Sequence, residues 1–164
     1  MSINILLVNY DDKQQAADLI TMMQHYASDP MGGGEAIAQE TIEKLIPALQ
    51  QQNNVVSFLA YQTDKPVGLA NCVFGFSTFA AAPLLNIHDL VVVEDVRGLG
   101  VGSALMKAAE AHALDANCCK MTLEVLAGNE RAKRVYEKAG YKPYELDASM
   151  GQAIFWQKSL KKRT

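Results

Sequence analysis

Val91-Val92-Val93-Glu94-Asp95-Val96-Arg97-Gly98-Leu99-Gly100-Val101-Gly102-Ser103 is the stretch on which the reading of this chain turns. Strand-forming residues from Ile87 to Val93 run into a turn with glycine at 98, 100 and 102. Val101, Leu105, Ala108 and His112 then recur at helical spacing. A strand, a glycine turn and a helix in that order build an anion site. The first amides of a helix lack intrahelical acceptors, the helix dipole adds positive potential, and glycine lets a phosphate approach the main chain. Two common phosphate motifs do not fit. The dinucleotide fingerprint needs glycine where Ser103 stands, and the Walker pattern needs Gly-Lys-Ser/Thr where the chain reads Gly102-Ser103-Ala104. Taken alone, the turn is equally compatible with a tight strand-to-helix connection that holds nothing.

Downstream of this stretch, Lys120 to Leu126 reads as a strand and Asn129 to Ala139 as a helix ended by Gly140. Tyr141 to Leu146 and Ala153 to Leu160 read as a final hairpin, and Lys161-Lys162-Arg163 as a solvated tail. Upstream, Ile3 to Val8 reads as a first strand. Asp12 is placed to cap a helix, with Gln15 at its third position and Ala16, Leu19, Ile20, Met23 and Ala27 on one face. Pro30 and the glycines at 32, 33 and 34 break that helix. Ile37, Thr41, Ile42, Leu45 and Leu49 mark a second helix, in which Pro47 predicts a kink or two short pieces. Val55 to Tyr61 and Val67 to Phe76 form a hairpin about the turn Thr63-Asp64-Lys65-Pro66, and Ala80 to Pro83 breaks the chain again. Strands bunched around βα units predict an α/β (α+β) fold with a mixed sheet.

Length and composition fit this outline. The chain has 164 residues and a mass of 17.9 kDa, so one domain over residues 1–164 is expected. Hydrophobic residues make up 49% and charged residues 20%, which excludes disorder as the main state. The net charge of -3 argues against a basic nucleic-acid binder. No apolar run approaches the roughly 18 residues of a membrane span. Met1 to Asp12 carries neither a basic region nor a cleavage pattern, so no signal peptide and a cytoplasmic location are expected. Cys118 and Cys119 are adjacent and Cys72 is remote, which matches no zinc spacing; reduced thiols and no metal are expected.

A second motif follows the next strand: Asn129-Glu130-Arg131-Ala132-Lys133-Arg134-Val135-Tyr136-Glu137-Lys138-Ala139-Gly140-Tyr141. Together the glycine turn and this segment resemble the GNAT superfamily of N-acetyltransferases, closely from Ile87 to Tyr141 and in order of elements elsewhere. The resemblance implies an acyl-CoA N-acyltransferase-like fold, with a mainly antiparallel sheet of about six to seven strands, about four helices and splayed central strands. It implies acetyl-CoA as cofactor, with pantetheine along Leu90, Val91 and Val92. The pyrophosphate would lie on the amides of Gly98, Leu99, Gly100, Val101, Gly102 and Ser103, and Asn129 and Ala132 would touch the cofactor. Arg97, Arg131, Lys133 and Arg134 are candidates for its 3'-phosphate; as single charges each is also an ordinary solvated residue.

The implied reaction is direct attack by a primary amine through a tetrahedral intermediate. A main-chain amide near Val92 would stabilise the oxyanion. Tyr136 stands at the family's position for the acid that protonates the leaving thiolate, and its other reading is packing beside Ala132 and Val135. His88 is the candidate base, since imidazole titrates near neutrality; its other reading is a strand histidine bonded to the backbone. Some polyamine-acetylating relatives carry glutamate there, so a polyamine is one acceptor among several. Asp89 is read as bonding loop amides near the cleft and is kept among the acceptor-side candidates. Glu94 and Glu124 are alternative proton acceptors. The family builds its acceptor site from the first two helices, their loop and the last hairpin, which brings in Tyr26, Asp29, Glu35 and the glycine run. His25, His112, Met22 and Met23 read as structural. The expected partners are a small-molecule or protein amine and, compatibly, a second copy of the chain, with no nucleic acid or membrane. A catalytically silent acyl-CoA sensor and an enzyme using another nucleotide are the competing readings.

Overall fold

The structure, a computed structural model, describes residues 2–160. The basic segment Lys161-Lys162-Arg163 lies outside them. Five strands form one sheet in the order β1-β2-β3-β4-β5: β1 Ile3–Leu7, β2 Val55–Gln62, β3 Lys65–Ser77, β4 Ala82–Val92 and β5 Met121–Leu123. The first four are antiparallel neighbours, and β5 joins β4 in parallel. Four α-helices accompany them: α1 Lys13–Ser28, α2 Gln39–Gln50, α3 Val101–Asp115 and α4 Glu130–Lys138.

The sheet separates two apolar layers. On one face Leu19 and Met22 of α1 pack with Leu59, Leu69 and Val91, and Leu45, Ile46 and Leu49 of α2 close the edge. On the other, Val101, Leu105, Met106 and Ala109 of α3 pack with Phe58, Ala60, Ala70, Leu85 and Ile87. Alternation along β2 makes this possible, because Phe58 and Ala60 point to α3 while Leu59 points to α1. Each fully buried Leu or Met adds about 1.5–3 kcal/mol over an exposed one. His112 is structural, with its ring 5.7 Å from Phe58 and 5.8 Å from Phe74.

Several local expectations change. The sheet has five strands among the described residues rather than six or seven, because the last hairpin does not join it. Residues 141–160 form no strand; their cross-limb pairing is the isolated bridge Glu145↔Gln152 with the adjoining bond from the Ala153 amide to the Tyr144 carbonyl, at 2.8 Å, around turn bonds from Met150 to Asp147 and from Gly151 to Ala148. β5 shrinks to Met121–Leu123, since Glu124, Val125 and Leu126 leave the sheet. β4 begins at Ala82, five residues before Ile87, because antiparallel pairing with β3 continues to Ser77.

α2 runs unbroken through Pro47. The proline sits in the last turn, where losing one helical bond does not stop a helix already formed. Asp12 caps α1 through the Gln14 and Gln15 amides, as its position predicts. Gln15 accepts from the Asn9 amide at 2.7 Å, three residues upstream of the cap.

Candidate functional site

β4 is longer than its neighbour, and the site follows from that. β5 pairs with β4 only at Leu85↔Met121, Asn86↔Thr122 and Ile87↔Leu123. β4 then continues to Val92, bonded to β3 on one side and, among the described residues, without a strand on the other. The free edge of His88–Val92 therefore lines an opening between the two parallel strands. Main-chain polar groups in such a gap require a partner from solvent or ligand.

The glycine turn closes the end of this opening. A single 3-10 turn at Glu94–Val96 leads to Gly98 and Gly100, both left-handed with φ of +84° and +87°. A Cβ at Gly100 would touch nothing within 4 Å, so the backbone angle, not space, calls for glycine there. Gly100 is also the N-cap of α3 and supplies no capping side chain. The first amides of α3 remain open donors, which suits a phosphate. Asn129 caps α4 by accepting from the Ala132 amide at 3.1 Å.

A β-bulge sorts the side chains of β4. Asn71 pairs with Asp89 while Cys72 pairs with Ile87, which leaves His88 as the extra residue. Leu85 and Ile87 belong to the α3 layer; beyond the bulge Val91 belongs to the α1 layer. The one-residue insertion thus turns Asp89 towards α1, and His88 is exposed. Asp89 does not bond loop amides. Its Oδ2 accepts from Asn71 Nδ2 at 3.0 Å. Asn71 Oδ1 accepts from Ser57 Oγ at 2.6 Å, and Ser57 lies 2.9 Å from the Tyr10 hydroxyl. This polar line across three strands and the β1–α1 turn has no motif in the sequence. Its only trace was a polar residue amid each of two strands that otherwise read apolar, Ser57 and Asn71.

Tyr26 of α1 faces this region. Burial pushes its phenol up, and the charges of Asp89 and then Asp29 push it further. Tyr136 of α4 is half-buried against the α3 layer, 6.2 Å from the Tyr141 ring. Burial raises its phenol pKa, with Tyr26 adding a smaller push, so both hydroxyls keep their protons at neutral pH. Tyr26 thus lies within electrostatic reach of the acceptor-side candidates Asp89 and Asp29 and of the acid candidate Tyr136.

Two candidates are engaged with each other. Arg97 donates through Nη2 to Asp29 Oδ2 at 2.7 Å and through Nε to the Val92 carbonyl at 2.8 Å. Asp29 also accepts from the Met31 amide at 2.8 Å. That amide, followed by Arg97, holds the Asp29 carboxyl below the usual range. Arg97 is therefore not an open phosphate ligand, nor Asp29 an open carboxylate for an amine. The pair instead ties the α1–α2 loop to the end of β4. Gly32 belongs to that loop by necessity, since a Cβ there would lie 1.9 Å from the Tyr26 carbonyl oxygen. Glu35 is exposed, and so is Glu124, which accepts from Asn86 Nδ2 at 3.3 Å. Lys133 pairs with Glu130 at 2.6 Å, whereas Arg131 and Arg134 form no ion pair among the described residues. Burial and then Asp89 push the Cys72 thiol up to about 12, which makes it an inert core residue. No group of residues suited to hold a metal occurs among those described. Among the described residues no helix is long and apolar enough to cross a membrane.

Comparison with known proteins agrees with this geometry. The chain is 34% identical over 74 residues to the thialysine N-epsilon-acetyltransferase of Bos taurus, covering 45% of this chain and 43% of that one. It is 40% identical over 62 residues to an uncharacterized N-acetyltransferase of Methanocaldococcus jannaschii, covering 37% and 40%. The chain thus matches less than half the length of either relative.

Solved structures match over nearly the whole fold. An aminoglycoside acetyltransferase from an uncultured soil metagenomic sample, in complex with sisomicin, superposes with a TM-score of 0.78 at 19% identity, over 97% of each chain. The aminoglycoside acetyltransferase AAC(6')-Iy, in complex with a CoA bisubstrate analog, superposes with a TM-score of 0.77 at 15% identity, over 98% of this chain and 100% of that one. At these identities the likeness is one of fold. The acetyltransferase (GNAT) family profile matches residues 19–141, from the first turns of α1 through the free edge of β4 to Tyr141. That stretch holds both sequence motifs and the splayed strands between them, and the chain belongs to the GNAT family of acetyltransferases.

Proposed function

We propose that the protein is an acetyl-CoA-dependent N-acetyltransferase, working as one domain over residues 1–164. It moves an acetyl group to a primary amine of a small molecule, polyamine-like or amino-acid-like, or of a protein. The single observation that carries this reading is the free edge of β4 ending at the uncapped N-terminus of α3. An edge of main-chain groups suits pantetheine amides, and adjacent open helix amides suit a pyrophosphate. Both features of one ligand are answered within one continuous stretch.

When bound, acetyl-CoA supplies the acyl group and a thiolate leaving group. Leu90, Val91 and Val92 would hold its pantetheine arm, with the Val92 carbonyl already taken by Arg97. Gly98, Leu99, Gly100, Val101, Gly102 and Ser103 would hold the pyrophosphate, and Asn129 and Ala132 would border the cofactor. Arg131 and Arg134, rather than Arg97, are the cations free to meet its 3'-phosphate. A Val92 amide near the thioester would stabilise developing negative charge. Tyr136, kept protonated by burial, is the acid for the sulfur. His88 takes the proton from the amine. Asp89, anchored by Asn71, and Tyr26 orient the acceptor, with Asp29 and Glu35 at the loop beside it. The amine class agrees with the bovine relative, named for N-epsilon acetylation, and with the aminoglycosides in the names of two structural neighbours. A net charge of -3 suits a cationic acceptor better than a nucleic acid.

The test combines binding and turnover. Saturating acetyl-CoA should raise the melting temperature, since it binds the folded state alone. A panel of amines should release CoA thiol, faster as pH rises and the acceptor loses its proton. Binding without thiol release across the panel would make the protein an acyl-CoA-binding module instead. His88→Ala should lower kcat/KM and change its pH profile, since the change removes the proposed proton acceptor. An unaltered profile would remove His88 from the mechanism while leaving the cofactor site standing.

A further inference from the structure

A row of polar side chains crosses the apolar layer under α1, and packing alone does not call for it. Ser57, Asn71 and Asp89 are paired neighbours abreast on β2, β3 and β4. The next row on the same face is Leu59, Leu69 and Val91, which belong to the cluster with Leu19 and Met22. Ser57 is fully buried, at 0% exposure. Polar groups in such a layer cost stability unless each is hydrogen-bonded, and apolar residues of similar size serve a core at least as well.

The supply of protons fixes the direction of every bond in the row. An ionised carboxylate only accepts, so Asn71 presents its amide nitrogen to Asp89, Nδ2 to Oδ2 at 3.0 Å. The amide oxygen then faces Ser57, whose hydroxyl donates to it at 2.6 Å. Ser57 has one proton and has used it, so the Tyr10 hydroxyl, 2.9 Å away, donates to Ser57 Oγ. Burial pushes the Tyr10 phenol up, which keeps that proton in place. All three donors therefore point towards Asp89, and bonds aligned head to tail strengthen one another.

The line is held along its length. Asn71 Nδ2 also lies 3.1 Å from Met23 Sδ of α1. The Val8 amide donates to the Ser57 carbonyl at 2.9 Å, and Gln50 of α2 donates to Asp11 Oδ1 at 2.9 Å, which fixes the turn carrying Tyr10. At the other end, Asp89 Oδ1 meets no protein donor among the described residues. No buried side-chain oxygen or nitrogen among them lacks a partner, so that oxygen is reachable from outside. Asp89 follows His88 on the free edge of β4, and its charge reaches Tyr26.

We propose that Tyr10, Ser57 and Asn71 are positioning residues for acetyl transfer: their one-way line anchors Asp89 Oδ2 so that Oδ1 stays turned to the cationic acceptor amine. None of the three touches the acceptor, and Tyr10 acts from the β1–α1 turn through two intermediaries. The inference rests on the acetyltransferase reading and deepens it by naming what holds the acceptor carboxylate.

The test is a double-mutant cycle on the full chain, with 1,5-diaminopentane, spermidine and L-lysine as acceptor probes. Ser57→Ala removes one hydroxyl and breaks the line. It should raise KM for the amine about tenfold, the effect of one loosened charge-assisted hydrogen bond, with kcat and the KM of acetyl-CoA within about twofold. Tyr10→Phe keeps the ring and should raise the amine KM about threefold in the same pattern. On an Asp89→Asn background, which itself raises the amine KM, both changes should add less than about twofold, because the charge they position is gone. A purely structural role predicts equal effects on the two backgrounds. An amine KM unchanged in both variants, effects that persist on the Asp89→Asn background, or a parallel rise in the KM of acetyl-CoA each overturns the proposal while the acetyltransferase reading stands. A wild-type chain that releases no CoA thiol with any of the three probes overturns that reading, and the proposal with it. Should Ser57→Ala fail to fold, the Tyr10→Phe half of the cycle decides alone, since its hydroxyl lies at the outer end of the line.

Discussion

At the scale of single residues, the chemistry proposed for this protein rests on Tyr136, and the reason is its surroundings. Its phenol is half-buried, its pKa is raised by that burial, and its ring is held against Tyr141. Removing only the hydroxyl should spare the packing. Tyr136→Phe should lower the single-turnover rate at least about tenfold, because a positioned acid contributes typically 100- to 10,000-fold. Acetyl-CoA affinity should stay within about twofold, since the hydroxyl acts only when charge develops on sulfur. A parental single-turnover rate would make Tyr136 a packing residue. Its position was legible from the spacing to Asn129. The line Asp89–Asn71–Ser57–Tyr10 was not, because its members lie far apart in the chain and meet only when three strands are aligned.

At the scale of elements, the N-terminus of α3 is the feature to test, and two substitutions separate its two properties. Gly100 needs a left-handed backbone and borders the open amides. Gly100→Ala should cost about 1 kcal/mol for the backbone angle and keep the acetyl-CoA melting shift. Gly100→Asp should cost a similar amount and abolish the shift, because its carboxylate occupies and repels the anion site. Equal shifts in the two variants, measured by thermal melts with and without ligand, would detach the glycine turn from cofactor binding. The turn and helix were legible because glycine spacing and apolar period are local properties. The brevity of β5 was not legible: Lys120 to Leu126 has strand character throughout, yet a strand lasts only as long as its neighbour stays alongside.

At the scale of the whole molecule, the Arg97–Asp29 pair joins the acceptor-side loop to the end of β4 and so couples the two sides of the cleft. The Asp29 carboxyl is depressed, first by the Met31 amide and then by Arg97. A depressed carboxyl contributes stability that is fully present above its unfolded value and is lost as pH falls through the folded one. The melting temperature of the wild-type chain should therefore be insensitive to this group above about pH 4 and decline below it. Asp29→Asn should melt lower at neutral pH and show a shallower acid decline. Parallel melting curves for the two chains from neutral to acid pH would show that the pair adds nothing to stability.

Family, cofactor class and the order of elements followed from the chain alone, because each is written in local pattern: the glycine turn, the Asn129–Tyr141 spacing, the switch from helical to strand period. What depended on three-dimensional packing was everything set by register and pairing. The bulge at His88 decides that Asp89 faces α1, and no neighbour in the chain signals it. The capture of Arg97 by Asp29 requires two loops 68 residues apart to meet, and it withdraws two charges that the sequence offered separately as ligands. The apolar pattern of Ala153 to Leu160 predicts a strand, and among the described residues that segment forms none, because a strand exists only where an edge pairs with it.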